Sequence, residues 1–123
     1  MSIRRIKSGG LFEEKVGYCR AVVAGGFVHV AGTTAQGLDI PEDAAGQCES
    51  ALKTIEGALI EAGSSLSKVV RVTYILPNAD DFEDCWPILR NAFGDNPPAG
   101  TMISCGLIDP KYKIEIEVTA LAD

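Results

Sequence analysis

The sequence predicts an α+β fold in which two helices pack on one face of a mixed β-sheet. This prediction rests on a paired-glycine hairpin signal near the N-terminus, a long segment whose apolar residues recur about every 3.6 positions, and β-branched segments that follow it. The chain has 123 residues and is 46% hydrophobic, which is enough apolar content for one core without disulfide or metal staples. We therefore expect residues 1–123 to form a single domain.

The N-terminal part of the chain reads as a strand followed by a β-hairpin. The first strand covers residues 3–7 and ends before Gly9 and Gly10. Gly25 and Gly26 then separate two β-rich runs, and paired glycines readily adopt the positive φ angles of a tight hairpin turn. Gly32 ends the second run, and a polar connection follows.

A long amphipathic helix is predicted from about Pro41 to Gly63. Acidic residues near the first turn favour its start, and Gly63 can adopt the left-handed conformation that ends helices. Its apolar residues recur at helical spacing, which places them on one face. They are Cys48, Leu52, Ile55, Leu59 and Ala62.

The second half of the chain contains a strand, a helix and two closing strands. The strand covers residues 69–76, and Asn78 or Asp80 caps the helix after it. Pro87 falls inside that helical pattern, so we expect a kink there or a fresh first turn near Asp84. The closing strands cover about 101–107 and 113–121. Apolar residues occur on both faces of the 69–76 strand, which predicts that copies associate through the sheet face that the helices leave uncovered.

The charge distribution argues against a nucleic-acid-binding protein. The net charge is -6 with a pI near 4.7, and basic residues concentrate only in a short stretch at 4–7, so phosphate backbones would be repelled. No apolar run reaches the roughly 18 residues of a membrane span, and no signal-like apolar segment opens the chain. We expect a cytoplasmic protein that binds neither nucleic acid nor membranes.

The cysteines Cys19, Cys48, Cys85 and Cys105 lie far apart and include no CxxC pair. Each falls in an apolar-looking segment, which predicts reduced, buried thiols rather than a metal site or a disulfide framework. Neither glycine pair is followed by the helix start of a phosphate-binding loop. We therefore expect no metal and no nucleotide cofactor, and we expect the single histidine, His29, to be structural.

Three stretches of the chain together resemble the RidA/YjgF family of small deaminases, from about residue 16 to the end. They are YCRAVVAGGFVHVAGTTAQG, QCESALKTIEGALIEAGSSLSKVVRVTYIL and PPAGTMISCGLIDPKYKIEIEVTALA. The resemblance implies a chorismate-mutase-like fold and a homotrimer with sheets inside, helices outside and small-molecule clefts at the subunit interfaces. Active members hydrolyse reactive imines, formed from enamines such as 2-aminoacrylate, to a keto acid and ammonia without a cofactor.

The resemblance also implies a catalytic residue and a missing partner for it. Active members hold the substrate carboxylate with an arginine in a Pro-Ala-Arg sequence, and they place a glutamate of the last strand near the attacking water. Glu115 matches that glutamate, whereas Gly100 stands where the arginine is expected. A guanidinium grips a carboxylate by two parallel hydrogen bonds and glycine cannot, so we expect a substrate that differs from the usual α-imino acid.

Further residues are predicted to line the substrate pocket together with Glu115. Tyr18 and Gly32 match family positions at the pocket, and Met102 stands where active members often have cysteine. Trp86 is either an apolar wall of the pocket or a core residue of its helix, and Tyr18 also fits a half-buried hairpin position. The predicted substrate-binding residues are Tyr18, Gly32, Thr33, Trp86, Gly100, Met102 and Cys105. Three arginines could restore anion binding from another subunit: Arg20, Arg71 and Arg90.

Three functions remain open from the sequence. The first is hydrolysis of an imine or enamine that lacks the usual carboxylate or is larger, with Glu115 positioning or activating water. The second is binding of a metabolite without turnover, which the missing arginine favours. The third is a ribonuclease or translation inhibitor, a label often attached to this family, which the charge of -6 disfavours.

Overall fold

The structure is a computed structural model that describes residues 2–123. Its helices are α1 (Leu11–Val16), α2 (Ala44–Glu61) and α3 (Trp86–Phe93). Its strands are β1 (Arg4–Ile6), β2 (Ala21–Ala24), β3 (Phe27–Thr33), β4 (Val69–Leu76), β5 (Ala99–Ser104) and β6 (Glu115–Leu121). They form a six-stranded sheet in the order β1-β2-β3-β6-β4-β5, in which β4 and β5 pair in parallel and the other neighbours are antiparallel.

The predicted α+β arrangement is confirmed. The helix α2 packs on β3 and β6, and α3 packs beside α2. Side chains from both helices and from the same face of β3, β4 and β6 form one apolar core. Neither α2 nor α3 packs on the opposite face of the sheet, which we call the open face.

The strands β2 and β3 form the predicted hairpin. Gly25 and Gly26 have φ angles of 59° and 84°, which glycine adopts without the steric cost of a Cβ atom. Ala24 pairs with Phe27 directly across this turn. The two glycines therefore fix the register of the hairpin.

The helix α2 is the predicted amphipathic helix. The Asp43 side chain caps its first turn by accepting a hydrogen bond of 3.0 Å from the Gly46 amide, and Gly63 follows its last turn with a φ of 84°. The whole predicted apolar stripe is buried against the sheet: Cys48, Leu52, Ile55, Leu59 and Ala62.

The segment before α3 contains two short 3-10 turns instead of a continuous helix. They span Ala79–Asp81 and Glu83–Cys85, and Asn78 caps the first of these turns instead of the α-helix that it was predicted to cap. The helix α3 then starts at Trp86 with Pro87 in its first turn, where a backbone N–H would have no helical partner anyway. The alternative of a fresh first turn is thus confirmed, slightly later than expected.

One helix has no counterpart in the sequence prediction. The short α1 starts after Gly10, whose amide donates a hydrogen bond of 2.7 Å to the Glu13 carboxylate, which is the glutamate half of a capping box. Its apolar residues do not form a buried stripe, so no helical periodicity marks it. Leu11, Phe12 and Val16 are exposed.

The closing strands start and end at positions that differ from the prediction. β5 spans Ala99–Ser104 instead of 101–107, and β6 begins at Glu115 instead of 113. All six residues of β5 are exposed, so no apolar alternation marks its ends. Its position follows instead from parallel pairing with β4 at the edge of the sheet.

The prediction that every cysteine is buried is wrong for Cys105. Cys48 and Cys85 are fully buried, Cys19 is partly buried and Cys105 is exposed. Cys105 follows directly after β5, and the exposure of that edge strand includes it. All four thiols are free, as predicted.

Candidate active site

The carboxylate of Glu115 lies on the open face at the start of β6. Side chains alternate along this strand, and Ile116 and Val118 point into the core. The pairing of β3 with β6 is irregular near the end of β3, and this irregularity brings Gly32 next to the Glu115 side chain. The predicted catalytic residue and one predicted pocket residue are therefore in contact.

Gly32 makes room for the Glu115 carboxylate. A Cβ atom at position 32 would lie 3.0 Å from Cδ of Glu115 and closer still to one carboxylate oxygen. Contacts this short are repulsive, so any larger residue at position 32 would displace the carboxylate. The glycine is needed here for close approach, since its backbone has no positive φ.

Arg20 is buried beside this contact, with 4% of its surface exposed. One terminal nitrogen donates hydrogen bonds to the Gly32 carbonyl at 2.9 Å and to the Thr33 hydroxyl at 3.0 Å. The other contacts the Tyr18 hydroxyl at 3.4 Å, and Nε contacts the Ser8 hydroxyl at 3.4 Å. Arg20 thus connects the segment before β2 to the irregular end of β3.

Glu13 is a buried carboxylate near Arg20, held by the turn that precedes α1. Burial raises its pKa, but hydrogen bonds from the Ser8 hydroxyl and from the Ser8 and Gly10 amides lower it, as does the charge of Arg20. The lowering effects prevail, so the pKa of Glu13 lies below its usual value. Within residues 2–123, no buried side-chain oxygen or nitrogen lacks a hydrogen-bond partner.

The pKa of Glu115 is raised above its usual value. Burial is the largest cause, and the neighbouring Glu117 carboxylate acts in the same direction, whereas the positive charge of Arg20 opposes both. A carboxylate with a raised pKa binds protons more readily and is a better general base once ionised. The site therefore contains a proton acceptor that is accessible from the open face.

This raised pKa gives Glu115 a measurable effect on stability. In the pH range above 4.5, the ordinary value, the unfolded chain binds fewer protons than the folded one, so the free energy of unfolding falls as pH rises. We expect Glu115→Gln to raise Tm at pH 7 by about 1 to 3 °C, with a smaller difference near pH 4. Thermal unfolding at several pH values measures this effect.

The matched control for that measurement is Glu56→Gln, which removes the same charge from an exposed position of α2. Its Tm difference from the wild type shows what removal of one surface carboxylate does by itself. A Glu115→Gln variant that is less stable than the wild type at pH 7 would contradict the predicted direction.

Comparison with known proteins agrees with this fold. A family model described as Endoribonuclease L-PSP matches residues 12–122. The RutC family protein PYRAB12510 of Pyrococcus abyssi is 30% identical over 107 residues, which are 84% of each chain. The chain belongs to the RidA/YjgF family. The protein SCO2049 of Streptomyces coelicolor is 32% identical over 123 residues, covering 97% of this chain and 92% of its own.

The chorismate-mutase-like fold that the sequence resemblance implied is also confirmed. The crystal structure of Rv2704 from Mycobacterium tuberculosis, a member of the YjgF/YER057c/UK114 family, superposes with a TM-score of 0.90 at 38% identity. The superposition covers 98% of this chain and 99% of that one. The RidA/YjgF fold therefore accounts for 98% of this chain.

In this RidA/YjgF chain, Gly100 lies on the opposite sheet face from Glu115. Gly100 pairs with Val72 of β4, and a Cβ atom at position 100 would lie 3.6 Å from Cγ1 of Val72 and 4.0 Å from Cε2 of Tyr74. Val72 and Tyr74 are buried on the helical face. A single chain therefore cannot line one pocket with both Gly100 and Glu115.

Other predicted pocket residues lie near Gly100. Met102 pairs with Tyr74, and the Phe82 ring lies 5.2 Å from the Tyr74 ring and 6.4 Å from the Trp86 ring. Trp86 is 45% exposed and Met102 is 38% exposed, so neither is a core residue. The predicted site residues thus form two groups: one around Glu115 and an apolar one around Gly100, with exposed Cys105 just beyond β5.

The arginines that could restore anion binding differ in their surroundings. Arg20 is buried and hydrogen-bonded to protein groups. Arg71 is exposed and lines a shallow cavity of about 170 Å³ on the open face, together with His29 and Glu117. Arg90 is exposed on α3.

Sequence reasoning missed the hydrogen-bond network around Arg20, which contacts the Gly32 carbonyl. Ser8 and Glu13 were not identified as part of the site, and Arg20 was considered only as an anion ligand. Two signals were present in the sequence. Glu13 stands three residues after Gly10, which is the spacing of a capping box, and the charged Arg20 stands directly before the apolar residues 21–24. Neither signal identifies a contact with β3, because that contact depends on the register of the sheet.

Residues 2–123 contain no cluster of three or more histidine, cysteine or acidic side chains arranged to hold a metal ion. No helix among them is both long and apolar enough to cross a membrane.

Proposed function

We propose that this protein hydrolyses a reactive imine or enamine to a carbonyl compound and ammonia without a cofactor. The observation that carries the proposal is the partly buried Glu115 carboxylate, whose pKa is raised and which packs against Gly32 on the open face. The family relationship supplies the reaction class.

The proposed reaction needs one group that accepts a proton and later returns it. Glu115 in its ionised form takes a proton from water as the water oxygen attacks the carbon of the protonated imine, and the C=N π electrons move onto nitrogen. The neutral carbinolamine that results keeps the nitrogen, and the protonated Glu115 then gives its proton to that nitrogen. The C–N bond breaks with its electron pair leaving on ammonia, while the hydroxyl loses its proton to solvent water and becomes the carbonyl oxygen, so that Glu115 is ionised again.

We further propose that the site is a cleft between copies of the chain in a homotrimer. Gly100 and Glu115 lie on opposite faces of one sheet, so a pocket that contains both needs residues from two subunits. The edge strand β5, next to Gly100, is exposed along its whole length and is therefore free to contact a neighbour. The apolar residues on both faces of β4, which predicted association of copies through the sheet, also support an oligomer.

The substrate proposed for this cleft has an apolar group and lacks the usual carboxylate contact. Gly100 offers no side chain, and Val72 and Tyr74 beside it are uncharged at neutral pH. Trp86 and Met102 add exposed apolar surface nearby. Such a wall favours hydrophobic substituents over anions.

A second candidate function is binding of a similar small molecule without turnover, and the absent side chain at Gly100 favours it. Without an anchor, a bound imine is held less firmly relative to Glu115, and catalysis depends on that geometry. We do not propose the ribonuclease activity named in the family description, because the net charge of -6 opposes binding to phosphate backbones.

The deciding experiment measures ammonia release from imines generated enzymatically in the assay. The substrates are 2-aminoacrylate and imines with larger apolar groups, each compared with buffer alone. We expect release above buffer, greatest for the apolar imines. Rates equal to buffer for all of them, together with retained binding of an imine analogue, would favour the binding function. Sedimentation equilibrium tests the trimer, for which the expected mass is three times 13.0 kDa.

A further inference from the structure

We propose that Arg20 is a positioning residue that holds the end of β3 against Glu115 and stabilises the ionised carboxylate, instead of binding the substrate. Its effect on catalysis rests on the proposed function, whereas its effect on Glu115 does not. Gly100 occupies the position of the expected arginine, so the sequence leaves open which arginine acts in the site.

The hydrogen bonds of Arg20 leave little of it for a ligand. A guanidinium has five N–H donors. The group makes four contacts, to the Ser8 and Tyr18 hydroxyls, the Gly32 carbonyl and the Thr33 hydroxyl. Its side chain is 4% exposed, so a substrate carboxylate would have to displace these partners to form a bidentate pair.

The same contacts place Arg20 where it can control Glu115. The two shortest, at 2.9 and 3.0 Å, are made to Gly32 and Thr33, the residues at the irregular end of β3. Gly32 is in turn the residue that packs against the Glu115 carboxylate. Thr33 is fully buried and its hydroxyl also donates to the Ala31 carbonyl at 2.8 Å, so it is part of this support and not of the ligand surface.

The charges around Glu115 give Arg20 an electrostatic role. Glu117 is the charged neighbour on the same strand, and Ile75 is the uncharged residue that pairs with Glu115 on β4. On the other side, β3 presents Gly32, and Arg20 lies behind it with Tyr18 and Glu13. Burial and Glu117 disfavour the ionised carboxylate, and Arg20 is the positive charge that acts against them.

Arg20 is itself held in place from two sides. Its Nε contacts the Ser8 hydroxyl, which together with the Ser8 amide donates to the Glu13 carboxylate. The Tyr18 ring lies 5.6 Å from the guanidinium carbon, within reach of a cation–π interaction. A residue fixed by packing and hydrogen bonds can position a catalytic group because its own geometry varies little.

The test measures the ionisation of Glu115 directly, by carboxyl ¹³C NMR of glutamate-labelled protein. The signal of Glu115 is identified by its absence in Glu115→Gln. In Arg20→Gln we expect the titration midpoint of Glu115 to rise by at least about 0.5 pH unit, because the opposing charge is gone. In Arg20→Lys we expect a smaller rise, because lysine keeps the charge but cannot replace the planar fork.

The matched control is Lys53→Gln, which removes one positive charge from an exposed position of α2 and should leave the midpoint unchanged. Arg20→Gln can fail to fold, because it leaves the buried Glu13 carboxylate without a neighbouring positive charge. In that case the Glu115 titration midpoint of Arg20→Lys is the deciding measurement. A folded Arg20 variant whose Glu115 midpoint equals that of the wild type would overturn the proposal.

Activity gives the second readout and separates the two proposals. If Arg20 positions Glu115, Arg20→Lys lowers kcat about tenfold while KM stays the same. A raised KM with unchanged kcat would instead indicate that Arg20 binds the substrate, and it would overturn the proposal. If the wild type releases no ammonia from any imine, the proposed function fails, and the NMR titration still tests the link between Arg20 and Glu115.

Discussion

Glu115→Ala is expected to lower kcat/KM for ammonia release by about 100- to 10,000-fold, the usual contribution of a positioned general base. The variant removes the only group in the site that we assign to proton transfer, while Gly32 and the Arg20 network remain. Because the base must be ionised, the wild-type rate should fall as pH drops below the raised pKa of Glu115. Steady-state ammonia release between about pH 5 and 8 measures both effects.

Glu115→Gln is the matched variant for this prediction. It keeps the size and shape of the side chain and one acceptor oxygen but cannot accept the proton, so its activity should be nearly as low as that of Glu115→Ala. Both variants should keep the oligomer mass of the wild type. Wild-type rates in either of them would remove Glu115 from the mechanism.

Gly100→Arg is expected to raise kcat/KM for carboxylate-bearing imines by about 10- to 100-fold, which corresponds to one new charge-assisted contact of about 1.5 to 3 kcal/mol. The backbone tolerates the change, since Gly100 has no positive φ and a Cβ atom there meets neighbours at 3.6 and 4.0 Å, which are ordinary distances. Rates for the apolar imines should fall, because the arginine occupies their space.

Gly100→Met separates the charge of the new side chain from its size. A methionine fills a similar volume without a guanidinium, so it should lower the rate for apolar imines and give no gain with carboxylate-bearing ones. Equal gains in Gly100→Met and Gly100→Arg would show that the side chain acts by filling space. No gain in Gly100→Arg would indicate that position 100 does not face the substrate.

The parts of the fold that periodicity marks were predictable from the sequence. The stripe from Cys48 to Ala62 repeats at helical spacing over several turns, and Gly25-Gly26 interrupts two β-rich runs, so both elements were placed correctly. In contrast, α1 and β5 expose most of their residues, and their patterns contain no buried face. Capping and strand pairing define such elements, and pairing is a non-local property.

The site was predictable only in part, for a related reason. Glu115 and Gly32 could be proposed one by one, but their contact depends on an irregular pairing of β3 with β6 that no local pattern indicates. The separation of Gly100 from Glu115 follows from parallel pairing of β4 with β5, which puts Gly100 in line with buried Val72. The burial of Arg20 could not be predicted either, because it depends on the position of β3.

The exposure of β5 affects a newly synthesised chain before it has assembled with other copies. An edge strand with six accessible residues and a free row of backbone donors and acceptors can pair with any extended segment that it meets. If copies of the chain cover this strand, folding becomes a concentration-dependent process, since dilution favours the uncovered form by mass action. The interval between synthesis and assembly is then the period in which the chain is most vulnerable to aggregation and proteolysis.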